Sequence, residues 1–352
     1  MNPMISIIIP VFNVEQYIGQ CLESIVSQTI DHSIIECIIV NDCTTDNSME
    51  FVNRQIEKCQ ANNDKITYKV INHINNMGVS TSRNDGLDAA KGEFVFFIDA
   101  DDYLYPDCLK TLYNAHLKYT NSDLIIGNAY NESLNTLMFK IKECIVLKNM
   151  NYLYEGKIAD YTIWNKLIRR NILQKNDIKF KSDINISEDD LFNYQLHSVV
   201  NEAVILPQKT YFYRKNEMGQ TFKYKYANAS TTLNGYITIL SLYEKELKGK
   251  CYLGKSFFVF NLASRAIDFL NNNKNNISDV KSLERQLRII IRGILNKHIM
   301  NIRPILFFMT ILATKPFEWV MRMRFYRRYF DKISMLFWKP AMMMDIFHGK
   351  KL

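Results

Sequence analysis

Apolar positions in the first 120 residues alternate between two periods. Ile5–Phe12 is almost continuously apolar and reads as a strand, and Val14, Tyr17, Ile18, Cys21, Leu22, Ile25 and Val26 then recur at helical spacing. Ile34–Asn41 is a second strand, closed by Asp42, after which Thr45 or Asp46 can cap a helix running towards Cys59. Ile66–Asn72 is a third strand, and a loop at Gly78 leads into a short helix over Ser80–Ala90. Phe94–Ile98 is a fourth, followed by a helix over Pro106–Tyr119. Strands that alternate with helices predict an α/β fold on a parallel sheet with right-handed crossovers.

The pattern then loosens. Asp123–Gly127 reads as another strand, while 130–160 fits neither period. Trp164–Leu173 and Ser187–Val199 read as helices, the second opening on the acidic run Ser187-Glu188-Asp189-Asp190. Ala203–Leu206 and Thr210–Tyr213 are short strands, and beyond about residue 225 the pattern is helical, with a polar break at Asn271–Asn276.

Composition narrows the class. The chain has 352 residues, 47% hydrophobic and 23% charged, as expected of a globular protein with one large domain or two ordinary ones. Its 7 cysteines form no CxxC pair and read as reduced core thiols of a cytosolic protein, so a structural zinc site is not expected. Ile5–Phe12 lacks a basic lead and contains Pro10, unlike a signal peptide. The net charge of +8 lies in the tail: residues 297–352 hold 11 Lys/Arg against 3 acids, which leaves the first 296 neutral. In that tail Phe317, Trp319, Phe325, Tyr326, Tyr329 and Phe330 interleave with Arg322, Arg324, Arg327 and Arg328. Its longest uncharged run, Pro304–Thr314, is far below the ~18 residues of a spanning helix. The tail therefore reads as an amphipathic segment for an anionic membrane surface.

The chemistry gathers at strand ends, where open α/β sheets bind ligands. Pro10-Val11-Phe12-Asn13, Asp42 and Asp99–Asp102 all fall on that edge. Asp99, Asp101 and Asp102 crowd three carboxylates into four positions after a very apolar strand, and a divalent cation shared with phosphate oxygens would relieve their repulsion. The first strand is followed by no glycine-rich turn, which counts against a nicotinamide dehydrogenase. The histidines show no metal spacing, and no nucleophile elbow is present, so hydrolase chemistry fits poorly.

SIIIPVFNVEQYIGQCLESIVSQT, IIVNDCTTDNS, NNMGVSTSRNDGLDAAKGEFVFFIDADD, WNKLIRR and ISEDDLF occur in that order over roughly the first 215 residues. Together they resemble the family 2 nucleotide-sugar glycosyltransferases of bacterial polysaccharide synthesis. The resemblance implies a GT-A fold over 1–215, with a nucleotide-binding sheet (about 1–125) and an acceptor-binding part (about 126–215). A mainly α-helical C-terminal region (216–352) would follow, basic and amphipathic from about 303.

It also implies roles. Pro10, Phe12 and Asn13 would border the nucleoside, and Asp42 would accept a hydrogen bond from the base. Arg83 would approach the nucleotide phosphates. Asp99, shared with the ribose, and Asp101 would hold Mg2+ or Mn2+. Asp189, or else Glu188, would be the catalytic base, and Trp164 and Lys166 would shape the acceptor side. One departure stands out: the family usually continues Asp-Gly-Ser where this chain has Asp42-Cys43-Thr44, so the turn there is expected to differ if a positive φ is needed.

The expected protein is thus an inverting, metal-dependent glycosyltransferase, peripheral on the cytoplasmic face of the plasma membrane. It would move a sugar from a uridine diphosphate-linked donor to a glycan or lipid-linked acceptor for a cell-surface polysaccharide. A nucleotidyltransferase would need an N-terminal phosphate loop that is missing here. A non-catalytic nucleotide-sugar binder would not need Asp42, Asp99, Asp101 and Asp189 intact. Nucleic acid, the other polyanion that a basic aromatic tail could bind, is not the expected partner.

Overall fold

The computed structural model describes residues 3–154, 162–184, 187–216, 229–246, 252–273, 277 and 279–298. The expected alternation is present: β1 (Ile5–Val11), α1 (Ile18–Val26), β2 (Ile35–Asn41), α2 (Ser48–Ala61), β3 (Thr67–Asn72), α3 (Val79–Ala89) and β4 (Phe94–Phe97). The strands lie parallel in the order β3-β2-β1-β4, with Ile5 level with both Ile35 and Phe94. Both faces of this half are covered, which explains the unbroken apolar strand sequences. Ile5, Ile7 and Ile9 pack on one side with Cys21, Leu22 and Ile25 of α1. On the other side Ile8, Ile38, Val40, Val95 and Phe97 pack beneath α3, whose Gly86 lies so close to β1 that an added Cβ would stand 2.4 Å from Ile8 Cγ2.

After β4 the structure departs from a purely parallel sheet. A two-residue strand β5 (Tyr103–Leu104) precedes α4 (Cys108–Lys118), which begins two residues later than Pro106. β6 (Leu124–Asn131) follows, and the stretch that fitted neither period holds the short strands β7 (Thr136–Leu137) and β8 (Ile145–Leu147) and a single helical turn, α5 (Asn151–Tyr154). The helix expected over Trp164–Leu173 is in fact a strand, β9 (Lys166–Arg169), running into the short helix α6 (Arg170–Lys175). β9 fills the slot between β4 and β6, antiparallel to both, so sheet hydrogen bonds on two edges override the local preference. Asn165 (φ 59°), in the left-handed region just before it, also interrupts a helix there.

α7 (Glu188–Val199) matches its expected span, and the two short strands expected after it are one bulged strand, β10 (Ala203–Tyr213). The sheet continues β4-β9-β6-β10-β5. Three C-terminal helices follow: α8 (Ala229–Glu246), α9 (Tyr252–Asn273) and α10 (Val280–His298), and the expected polar break begins within the last turn of α9, its first three residues being helical. They form a core of their own (Leu233, Leu240, Val259, Leu262, Leu287), closed by Tyr154 of α5 and by Leu191 and Tyr194 of α7.

Six cysteines among the described residues are free thiols, four of them buried. No described helix is long and apolar enough to cross a membrane. The basic segment from about 303 lies outside the described residues.

Candidate active site

The expected residues collect where β1, β2 and β4 leave the sheet. Pro10 is half-buried, and Phe12 is 40% exposed, presenting its ring at the edge. Asn13 (φ 51°) ties the loop after β1 to the loop after β2, its Oδ1 accepting from the Thr45 amide (2.9 Å) and the Thr44 hydroxyl (3.0 Å). Cys43 adopts φ 59°, so the turn after Asp42 keeps the left-handed geometry suited to glycine despite carrying a side chain. The Asp42 side chain is 4% exposed. Its Oδ1 accepts from His73 Nδ1 (2.8 Å) and the Met77 amide (2.7 Å), and its Oδ2 from the Gly78 amide (2.8 Å). Three of the four acceptor positions of this carboxylate therefore hold the β3–α3 loop in place.

Arg83 is the hub of the site. Its side chain on α3 is 4% exposed and lies over the Phe180 ring at 5.2 Å. Nη2 reaches Asp99 (3.0 Å), while Nη1 reaches Asp189 (2.7 Å) and Glu188 (3.2 Å). One guanidinium thus joins the end of β4 to the first turn of α7, although Asp189 lies 106 residues from Arg83 in sequence. Asp190 belongs elsewhere, paired with Arg265 of α9 at 3.1 Å. Burial raises the Asp189 carboxyl above the ordinary range; Arg83 opposes this, while Glu188, Asp99 and Asp190 add to it.

Asp101 and Asp102 stand in different surroundings. Asp101 Oδ2 accepts from Asn216 Nδ2 (2.8 Å), and burial followed by the Asp99 charge raises its carboxyl. Asp102 is buried, accepting from the Tyr211 hydroxyl (2.7 Å) and the Arg214 amide (2.8 Å). The Tyr211 hydroxyl also accepts from the Asp99 amide at 3.2 Å, so one oxygen braces both ends of the acidic turn. Arg214 completes the brace, donating from Nε to the Asp101 carbonyl (2.7 Å) with its guanidinium 5.2 Å from the Tyr17 ring.

The two residues expected on the acceptor side lie beneath the surface. Trp164 is buried and stacks on Tyr211 (4.4 Å) and Tyr213 (5.2 Å), backing the acidic turn from below. Lys166 is fully buried within β9, its ammonium donating to the Thr162 carbonyl. Sequence reasoning missed Tyr211, Arg214, Asn216 and His73. The run of consecutive aromatics Tyr211-Phe212-Tyr213 could have pointed to Tyr211; the others carry no local signal. Among the described residues, no three His, Cys, Asp or Glu side chains converge as a ready metal cage.

Residues 6–176 match the family model described as "Glycosyl transferase family 2". They are a family 2 glycosyltransferase domain. Among curated relatives, the "Putative glycosyltransferase EpsH" of Bacillus subtilis (strain 168) is 33% identical over 223 residues, 60% of this chain and 61% of that protein. TarS of Staphylococcus aureus (strain MW2), a poly(ribitol-phosphate) β-N-acetylglucosaminyltransferase, is 28% identical over 228 residues, 63% of this chain and 37% of that protein. The chain matches about three-fifths of the length of the first curated relatives, 61% and 62%. S. aureus TarS 1–349, solved in complex with UDP-GlcNAc, superposes with a TM-score of 0.65 at 23% identity, over 83% of this chain and 81% of that one. At that identity the likeness shows a shared GT-A fold, to which the family 2 domain here conforms.

Proposed function

We propose that the protein is an inverting glycosyltransferase moving a sugar from a uridine diphosphate-linked donor to a glycan or lipid-linked acceptor of a cell-surface polysaccharide. The observation that carries this reading is the Arg83 bridge. Single displacement at an anomeric carbon needs an acceptor-side base within reach of the group that holds the donor diphosphate. Arg83 holds Asp189 and Asp99 on opposite sides of one guanidinium. Asp189 is the base, accepting the acceptor hydroxyl's proton, and Asp190 is excluded by its turn towards Arg265. Phe12, at the end of β1, offers a face to the nucleoside base, and Asp42 keeps one acceptor position for it. Trp164 acts from below through Tyr211, and Lys166 acts from within β9.

Asp99 and Asp101 suit Mg2+ or Mn2+. Burial and mutual repulsion raise Asp101, and two carboxylates completed by phosphate oxygens are a donor set that Mg2+ accepts. When bound, the cation would neutralise charge on the departing diphosphate. A mannosyltransferase of this fold, PcManGT (14% identity, TM-score 0.53), was solved with GDP-Man and Mn2+. Residues 1–215 would form the catalytic part and 216–352 the helical region, whose basic end would dock on the anionic cytoplasmic membrane face.

The test uses the full chain with UDP-sugars and Mg2+ or Mn2+. Release of UDP, with NMR showing inversion at the anomeric carbon, supports the assignment. Retention of configuration, or no metal-dependent UDP-sugar turnover or binding, rejects it.

A further inference from the structure

His73 stands at the start of the loop between β3 and α3, its side chain 5% exposed. Both ring nitrogens meet carboxylates: Nδ1 lies 2.8 Å from Asp42 Oδ1 and Nε2 lies 2.9 Å from Asp85 Oδ2. An ionised carboxylate only accepts, so two such contacts require two N–H groups, and only the imidazolium carries both. We propose that His73 is a positioning residue for donor binding: as an imidazolium bridging Asp42 and Asp85, it fixes the Asp42 carboxylate for the nucleoside base, and donor affinity weakens when the bridge loses its proton. This rests on the reading of Asp42 as the nucleoside-binding acid.

The bridge holds the right parts. Asp42 also accepts the Met77 and Gly78 amides, so the whole loop from His73 to Gly78 is tied to the end of β2. The second contact fastens it to α3, the helix that carries Arg83. Gly78 (φ 87°) then turns the chain into α3. Once neutral, the ring has one N–H for two carboxylates, and the other nitrogen turns a lone pair on an anion. The Asp42 aim and the loop loosen together.

The charged groups facing the ring are Asp42, from the end of β2, and Asp85, from α3; Lys179, ion-paired to Asp88 one turn along (2.8 Å), also interacts with Asp85. Burial lowers the imidazole's affinity for a proton, but the hydrogen bonds and charges of Asp42 and Asp85 outweigh it, so the His73 pKa is raised. The bridge is therefore complete below the ordinary histidine range and persists above it, then fails as pH rises through the raised value.

The test pairs a direct reading of the ring with binding. Nitrogen-15 NMR of the full chain should show both His73 nitrogens protonated at pH 7 and a titration midpoint above the ordinary value; a neutral ring at pH 7 overturns the proposal. UDP-GlcNAc affinity, measured by calorimetry from pH 6 to 9 with Mn2+, should weaken about three- to tenfold across that titration, the range expected for one charge-assisted hydrogen bond. His73→Gln should abolish the slope. Asp85→Asn, which keeps the histidine but removes one carboxylate, should move the slope to lower pH and guards against a His73 variant that fails to fold. An unchanged slope in both variants overturns the role of His73 alone. If the wild type binds no UDP-sugar at any pH while His73 titrates as stated, the donor-site reading fails, and the positioning role falls with it.

Discussion

Asp189 and Glu188 both touch Arg83 Nη1, and the proposed displacement needs only one of them as its base. Asp189→Asn should keep UDP-sugar affinity and lose transfer by on the order of 10²- to 10⁴-fold, since the lost interaction is made in the transition state. Glu188→Gln should retain most activity; the reverse pattern would move the assignment by one residue. A base works ionised, and burial raises Asp189 despite Arg83. The acid limb of kcat/KM should therefore lie above the ordinary carboxylate range, with activity lost as pH falls through it. A limb near pH 4 in a pH–rate profile would contradict this assignment.

Two elements are held at single contacts whose alteration can be read out. Tyr211 spans from the buried Asp102 carboxylate to the Asp99 amide, so it couples β10 to the end of β4. Tyr211→Phe leaves Asp102 short of a donor and should cost about 1–3 kcal/mol in urea unfolding. It should also weaken metal-dependent UDP-sugar binding, because Asp99 and Asp101 lose their brace; unchanged stability would show that the hydroxyl contributes nothing net. Gly86→Ala acts on α3. Its methyl would meet Ile8 Cγ2 at 2.4 Å, so the helix must lift from β1, at about 1–3 kcal/mol, taking Arg83 with it. Thermal unfolding and UDP-sugar affinity should both fall.

At the scale of the molecule, the C-terminal helices are bound to the α/β part through α7. Leu191 and Tyr194 face their core while Phe192 and Leu196 face the sheet, and Arg265 reaches Asp190. A fragment ending near 215 would expose that apolar face and should aggregate, whereas one ending near 298 should fold with a cooperative transition. The shorter fragment staying monomeric in gel filtration would show that the two parts are separable. The longer fragment should also lose binding to anionic vesicles at low salt while keeping UDP-sugar affinity; retained vesicle binding would place the membrane contact elsewhere.

The sequence alone determined the half of the fold whose signals are local. The strands and helices from Ile5 to Lys118 follow from period, caps and short connections, and the acids fall at strand ends because the strands are parallel. The resemblance then singled out Asp42, Arg83, Asp99, Asp101 and Asp189. Tertiary structure decided whatever depended on a distant partner. WNKLIRR becomes a strand because β4 and β6 offer it two open edges, and no window of sequence contains that information. Arg83 on a short helix could have been a solvated cation; only the approach of α7 makes it a buried bridge between carboxylates. Trp164 and Lys166 lie beneath the surface for the same reason, since burial follows from what packs above a residue. His73 had no motif at all. Its role arises where the end of β2 and the second turn of α3 place two carboxylates against one ring, because charge complementarity between remote segments exists only after the chain has closed on itself.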